Sequence, residues 1–260
     1  MSTPHTHTDQ TKPIGLIGGI GLTEVHVYSQ RPAPDGLFSG CPHVHAVTDE
    51  GYFVLEGSGA VEFHDLTLGY RKMPLERGQY VHFPPLVMHR IISDGELVIL
   101  GMMGNAGLAE SGEARIYFGP GVDEDAEAFA WCVGLPKAKG LEGALQRRDM
   151  AVEGYLGLMR LWETDRDAYF KELKRFFDMH CRAMHAIAGT LVDRVVRGPM
   201  AWAQATLSRI EALPGGPRVE PLVKLSRRGS ESAFGMCGVL RPITSLETFG
   251  MGGSAAETPA

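Results

Sequence analysis

The chain has little of several things that would mark a protein class. It has no basic block: 25 Lys and Arg stand against 31 Asp and Glu, a formal net charge of −6. A surface for nucleic acid needs clustered positive charge to displace phosphate counterions, so nucleic acid is not an expected partner. Cysteine is sparse, four in 260 residues. Cys41, Cys132, Cys181 and Cys237 are far apart and form no C-x-x-C, and nothing marks the chain as a secreted disulfide scaffold. Long apolar runs are missing too. Residues 14–22, IGLIGGIGL, are apolar over nine positions, where a membrane-spanning helix needs about 20. The first residues, MSTPHTHTDQTK, are polar and lack the apolar core of a signal peptide. The expectation is a cytoplasmic protein with no membrane partner.

What is present suits a folded enzyme or binding protein. Hydrophobic residues make up 44% of the chain, enough for a real core, and 260 residues hold one large domain or a domain with an appendage. Two stretches then fit together as one site. Residues 41–59, CPHVHAVTDEGYFVLEGSG, carry His43, His45, Glu50 and Gly57; residues 78–93, GQYVHFPPLVMHRIIS, carry Pro84 and His89. Side chains two apart on a strand share a face, so His43 and His45 project together. Glu50 is five beyond His45, the wrong parity for one strand, so the chain must turn or bulge between them. Three imidazoles and a carboxylate are a ligand set for a divalent first-row metal: iron, manganese, nickel, copper or zinc.

This pattern resembles the cupin superfamily, whose motifs read G-x5-H-x-H-x3,4-E-x6-G and G-x5-P-x-G-x2-H-x3-N. His43, His45, Glu50 and Gly57 match the first, and Gly78, Pro84 and His89 the second. The departures are scaffold positions. Leu37 stands at the leading glycine with Gly36 one residue early, Leu86 replaces the turn glycine, and Ser93 replaces the final asparagine. The resemblance covers about residues 14–119. It implies a mainly β fold, the double-stranded β-helix or jelly roll, with His43, His45, Glu50 and His89 as metal ligands and a tendency to form homodimers.

The rest of the chain is read from its patterning. Residues 1–13 form a flexible tail and residues 14–119 the jelly roll, with Gly57-Ser58-Gly59 as a hairpin turn between strands at 52–56 and 60–65. The glycines of residues 14–22 loosely suggest a phosphate-binding loop, yet residues 23–29 alternate as a strand does, which disfavours it. Residues 120–148 read as a linker of mixed structure, broken by Gly134, Pro136 and Gly140. Residues 149–213 form a helical extension: Asp149 caps a first helix, and Asp165 or Thr164 a second. Phe170, Leu173, Phe177, His180, Met184, Ile187, Leu191 and Val195 make one apolar stripe on the second, which Gly198-Pro199 then stops. The stripe must be buried, either on its own jelly roll or in a dimer. Residues 214–260 read as irregular. His180 and His185, five apart, do not converge on a helix face, so a second metal site is not expected.

Neighbours of the ligands add hints. Tyr52 and Val54 share parity with Glu50 and point into the same cavity, while His82 either lines it or faces outward; Tyr52 and His82 are the candidate substrate-binding residues. Arg90 points opposite to His89 and reads as an external or supporting charge, and Arg71 and Lys72 as a solvated strand edge or a cavity mouth. The resemblance implies metal-dependent oxygenases, decarboxylases, sugar isomerases or non-catalytic binders. The reading is a dioxygenase-type oxidoreductase using one divalent metal, iron first, on a small organic acid or aromatic. The alternatives are a sugar-derivative isomerase or epimerase, and a metal-assisted small-molecule sensor.

Overall fold

The computed structural model describes residues 13–216, 223–227, 233–243 and 245–249; the tail containing His5 and His7, and the residues from Gly250 on, lie outside these. Strands β1 (Gly21–Val27), β2 (Phe38–Ser39), β3 (His43–His45), β4 (Glu50–Glu56), β5 (Ser58–Asp65), β6 (Gly69–Glu76), β7 (Tyr80–Phe83), β8 (Met88–Ser93), β9 (Val98–Met103) and β10 (Ala114–Ile116) come first. Helices α1 (Pro120–Asp123), α2 (Ala126–Thr164), α3 (Arg166–His185), α4 (Ala188–Val195) and α5 (Ala201–Ala212) follow. The chain closes with β11 (Val223–Arg227), β12 (Ala233–Phe234), β13 (Gly238–Pro242) and β14 (Ser245–Phe249).

Two antiparallel sheets face each other as a jelly roll. One has the order β12-β13-β1-β9-β4-β7 and the other β10-β3-β8-β5-β6, with β2 also on β8; β11 and β14 form a separate ribbon. The expected hairpin at residues 57–59 is corrected: β4 and β5 belong to different sheets. Gly57, at φ +78°, turns that corner, and a Cβ there would lie 1.7 Å from the Glu96 carbonyl oxygen. The inner faces meet in a core of Val25, Val27, Tyr52, Val54, Val61, Phe63, Leu75, Phe83, Ile91 and Ile99.

Helix outweighs strand among the described residues, so "mainly β" fits the jelly roll and not the whole chain. Residues 120–148 are not a mixed linker. Asp125 caps α2 by accepting from Glu127 and Ala128 N–H, and the helix runs on through Asp149, which is therefore no cap. Gly140, at φ 59° and ψ −135°, bends it sharply. Asp165 does cap α3, accepting from Ala168 N–H. Gly198-Pro199 lies in a π-helical turn, Val196–Met200, that leads straight into α5 instead of stopping the helix. Residues 214–260 are not irregular throughout: β13 pairs with β1 and extends the first sheet. The glycine-rich residues 14–22 hold a short 3-10 turn, Ile17–Gly19, rather than a phosphate loop. A Cβ on Gly19 would lie 2.5 Å from Pro199 N, so the glycine serves backbone packing.

The expected single helix is two, α3 ending at His185 and α4 carrying Leu191 and Val195, and the α3 part of the stripe covers the chain's own jelly roll. Leu173, Phe176 and Phe177 pack with Tyr155 and Leu158 of α2 against Val44, Met88 and Tyr117. Strands β3 and β8 are thus buried on both faces, core within and helices without. That double burial removes the external one of the two readings of Arg90, which is 1% exposed. Its Nη1 pairs with Asp35 at 2.7 Å and its Nη2 donates to Ser39 Oγ at 2.7 Å. Beside it, Tyr155 OH donates to Glu62 Oε2 at 2.9 Å and so accepts from His64 Nε2 at 2.8 Å. His64 Nδ1 then accepts from Tyr169 OH at 2.8 Å. The imidazole is one neutral tautomer in a satisfied buried network joining helices to sheet. Arg71 pairs with Asp65 on the edge strand β6. No described helix is long and apolar enough to cross a membrane.

Candidate metal centre

The second sheet supplies the histidines and the first the carboxylate. His43 on β3 faces His89 on β8 as a cross-strand pair. After His45 the chain turns and changes sheet, so Glu50 opens β4 opposite Met103 and Phe83. The parity break between His45 and Glu50 therefore reflects a change of sheet. One ligand atom from each of His43, His45, Glu50 and His89 lies within 4.8 Å of the other three, and all four residues are buried.

The scaffold departures keep the turns they replace. Gly36 takes φ +81° one residue before Leu37. Leu86 is the one non-glycine at positive φ among the described residues, at 58°. A leucine there costs roughly 1–2 kcal/mol. Its side chain packs under the helical cover, which offsets the strain. Ser93 Oγ accepts the Gly95 N–H at 3.1 Å.

Hydrogen bonds outside the cluster fix which nitrogen each ring presents to it. His43 Nδ1 donates to Cys41 O at 2.9 Å, and His89 Nδ1 donates to Val87 O at 3.0 Å. A carbonyl only accepts, so both Nδ1 atoms carry protons, and in the neutral tautomer that a metal ligand requires each ring turns a bare Nε2 inward. Those two Nε2 atoms stand 3.0 Å apart. Glu50 Oε2 is 3.0 Å from His89 Nε2 and 3.3 Å from His45 Nε2, and it is buried with no hydrogen-bond partner. Lone pairs converging at this range repel unless a cation lies among them. The donor set fits a divalent metal.

The third histidine has a different support. His45 Nδ1 is 2.8 Å from Glu113 Oε2. The other oxygen, Oε1, accepts Val47 N–H at 2.6 Å and Thr48 N–H at 2.9 Å. Burial would lower His45, but Glu50 and Glu113 on either side raise it to about 10. Burial pushes Glu50 up, and the imidazoles of His45 and His89 more than reverse this, holding it well below the usual carboxylate range. His43 is depressed, by burial first and by His89 second. Two buried carboxylates thus await neutralisation, and a divalent cation supplies that charge once His45 gives up its proton.

Tyr52 lies where the parity puts it, buried, with its ring 6.1 Å from that of His89 and 5.2 Å from that of Phe83. His82 does not join the site. Phe83 and Val81 face inward, so His82 faces out; its side chain is 57% exposed and lies 3.5 Å from Asp49. His180 is buried and donates from Nε2 to Glu113 O at 2.8 Å. It supports the loop that holds Glu113 rather than forming a second metal site with His185. Sequence reasoning missed Glu113, which belongs to no local pattern: it lies 68 positions from His45. It missed Cys237 for the same reason; its Sγ is 3.7 Å from His43 Nε2, 194 positions away. Two surface cavities of about 610 and 560 Å³, the first around Phe38 and Ser93 and the second between α2 and α3, lie away from this centre.

Within the two-sheet jelly roll, three inward histidines and one glutamate form a cluster that could hold a metal ion. Residues 30–102 match the family model described as Cupin domain, and the chain carries a cupin domain over that stretch. No curated protein matches the chain in sequence. Among solved structures, a cupin-2 domain containing protein from Shewanella frigidimarina is 23% identical, with 35% of this chain and 76% of that chain covered at a TM-score of 0.27. A protein from Neisseria meningitidis is 22% identical, over 33% of this chain and 74% of that one, at a TM-score of 0.26. A TDP-fucose-3,4-ketoisomerase from Campylobacter jejuni is 11% identical, over 35% of this chain and 64% of that one, at a TM-score of 0.30.

Proposed function

We propose that this protein is a metal-dependent oxidoreductase of dioxygenase type. It holds one divalent ion, iron in preference to manganese, nickel, zinc or copper, on His43, His45, Glu50 and His89, and acts on a small organic acid or aromatic. The observation that carries the metal is the convergence of bare His43 and His89 Nε2 atoms on an unpartnered, buried Glu50 Oε2. Bound there, the ion would act as a Lewis acid and, as iron, would open dioxygen chemistry.

The choice of reaction rests on what surrounds the donors. Isomerisation or epimerisation needs a free base within reach of the substrate carbon. Glu113 is taken up by His45 and two backbone N–H groups. Tyr52 and Cys237 are proton-bearing side chains beside the cluster, the Tyr52 ring 6.1 Å from that of His89 and Cys237 Sγ 3.7 Å from His43 Nε2. Burial keeps the Tyr52 phenol well above its usual range, so it serves as a hydrogen-bond donor that orients a substrate oxygen, not as a base. Phe83, with its ring 4.5 Å from His89, adds an apolar wall that excludes water.

The test is to supply Fe(II) anaerobically, then screen small organic acids and catechol-like aromatics for substrate-dependent oxygen uptake. Uptake that is lost when zinc replaces iron is the expected result. Turnover under strict anaerobiosis would remove the oxygenase reading and leave the isomerase, and ligand binding without turnover would leave the sensor.

A further inference from the structure

We propose that the cleft between α2 and α3 is a second binding site, which takes a small aromatic or medium-chain carboxylate with its apolar body on the helices and its charge against Arg160 and Lys171. The site lies away from the metal centre and does not depend on the reading of that centre.

The cleft has a volume of about 560 Å³, within the range of sites that hold small organic ligands. Tyr117, Leu158, Leu161 and Ala168 give it an apolar lining. Tyr117 and Leu158 also belong to the buried cluster between helices and jelly roll, so the floor of the cleft is the outer side of a packed core. One wall lacks a side chain. Gly157 stands inside α2, where glycine is the poorest helix former after proline. Packing accounts for the nearby Gly154, whose Cβ would lie 2.1 Å from Phe118 O. It does not account for Gly157, where a Cβ would meet only Arg160 Nη2 at 3.7 Å, an ordinary contact. The helix thus carries an unfavourable residue that no neighbour requires, and the space left beside it is part of the cleft.

The charges around the cleft decide what it takes. Arg160, Lys171, Glu172 and Arg175 line it. Glu172 is already satisfied: it accepts from Arg175 Nε and Nη2, both at 2.7 Å, and from Tyr117 OH at 2.9 Å. Arg175 also reaches Glu124 Oε1 at 3.1 Å and Asp123 Oδ2 at 3.6 Å. Arg160 and Lys171 have no acidic partner among the described residues. What remains is a positive rim over an apolar floor, which complements a ligand that is itself apolar at one end and anionic at the other. A neutral ligand leaves both cations unanswered, and a bare inorganic anion leaves the floor wet. The competing occupant is a side chain from a second copy of the chain.

The probe is 1-naphthoate, titrated by its fluorescence against the full chain, Gly157→Leu, the double variant Arg160→Gln/Lys171→Gln, and His89→Ala, with 1-naphthamide as the neutral control. The expected result is saturable binding of one naphthoate per chain and weaker binding of naphthamide. Gly157→Leu should abolish binding, because a helical side chain leans back over the preceding turn and here enters the cleft. Its unfolding temperature should be no lower than that of the wild type, since leucine is the better helix former. The double variant should bind roughly 2- to 30-fold more weakly, what two exposed charge pairs are worth, and it decides the matter should Gly157→Leu fail to fold. His89→Ala should bind as the wild type does. The proposal is overturned by a wild type that binds no naphthoate or binds naphthamide equally well, by undiminished binding in Gly157→Leu, or by binding lost in His89→Ala, which would place the probe at the metal centre. Light scattering that shows a wild-type dimer and a Gly157→Leu monomer would assign the cleft to a second copy and overturn it as well.

Discussion

Glu113 shows how a single residue outside any motif can set the chemistry of a ligand. It fixes the orientation and proton position of His45 and is itself held by two backbone N–H groups. Glu113→Gln should bind metal roughly 10–100-fold more weakly, the usual cost of disturbing such a support; competition with a chromophoric chelator measures this, and unchanged affinity would remove the role. His89→Ala should lose the ion, because it deletes a donor, and keep the fold; elemental analysis and circular dichroism report the two separately. Two of the depressed histidines, His64 and His180, contribute to the acid response. Burial lowers His64 to about 3 and His180 to about 4, whereas both titrate near 6.5 when unfolded. Below about pH 6.5 each binds its proton in the unfolded chain and not in the folded one, so the stability these two contribute is fully present above that pH. It should fall on acidification by about 1.4 kcal/mol per pH unit for each histidine. Urea denaturation between pH 7 and pH 4.5 measures the slope, and His180→Gln, which keeps a donor to Glu113 O, should make it shallower than in the wild type.

At the scale of elements, α3 reads clearly in the sequence and the first part of α2 does not. The spacing of Leu173, Phe177 and His180 marks one face whatever it packs on, and all three are buried. In α2, Gly134, Pro136 and Gly140 argue against a helix, and the helix forms because its neighbours require it. Cys132 and Ala151 pack beside Ile116 and Phe118, and a Cβ on Gly143 would lie 2.1 Å from Leu135 O. Gly140 survives as the bend. Leu173→Ala should cost about 2–5 kcal/mol, as for other buried leucines, measured by urea denaturation. Strand β6 was legible only as a solvated edge at Arg71 and Lys72, because Pro74 and exposed charges obscure the rest; it is an edge strand, where a missing N–H is tolerated.

Across the whole molecule, the helical cover and the jelly roll share one buried boundary, since Val44 and Met88 of the sheet join Leu173 and Phe176 of α3 in one cluster. Any homodimer, which the cupin resemblance implied, must use a surface other than the α3 stripe. Leu173→Asp should therefore destabilise the chain without turning a dimer into a folded monomer; size-exclusion chromatography with light scattering decides this, and a folded monomer would show the stripe to be a seam. Metal that binds only the folded state should raise the unfolding temperature. At one hundred times its dissociation constant it adds about 2.7 kcal/mol, which a chelator should reverse; an unfolding temperature indifferent to metal and chelator would argue against the centre.

Local chemistry was legible from the chain alone. The resemblance to the cupin motifs named the four candidate donors, strand parity put His43 and His45 on one face, and imidazoles with a carboxylate suit a first-row ion. The same reasoning placed Tyr52 inward and found the β runs and the α3 stripe. Only the tertiary structure decided that His82 faces out, that Arg90 is buried beneath helices, and that Gly57 turns a corner between sheets. It alone brought Glu113 and Cys237 to the histidines. The reason is physical: strand parity and helix periodicity are local, whereas burial on both faces of a sheet and convergence of donors from distant segments depend on which elements pack together.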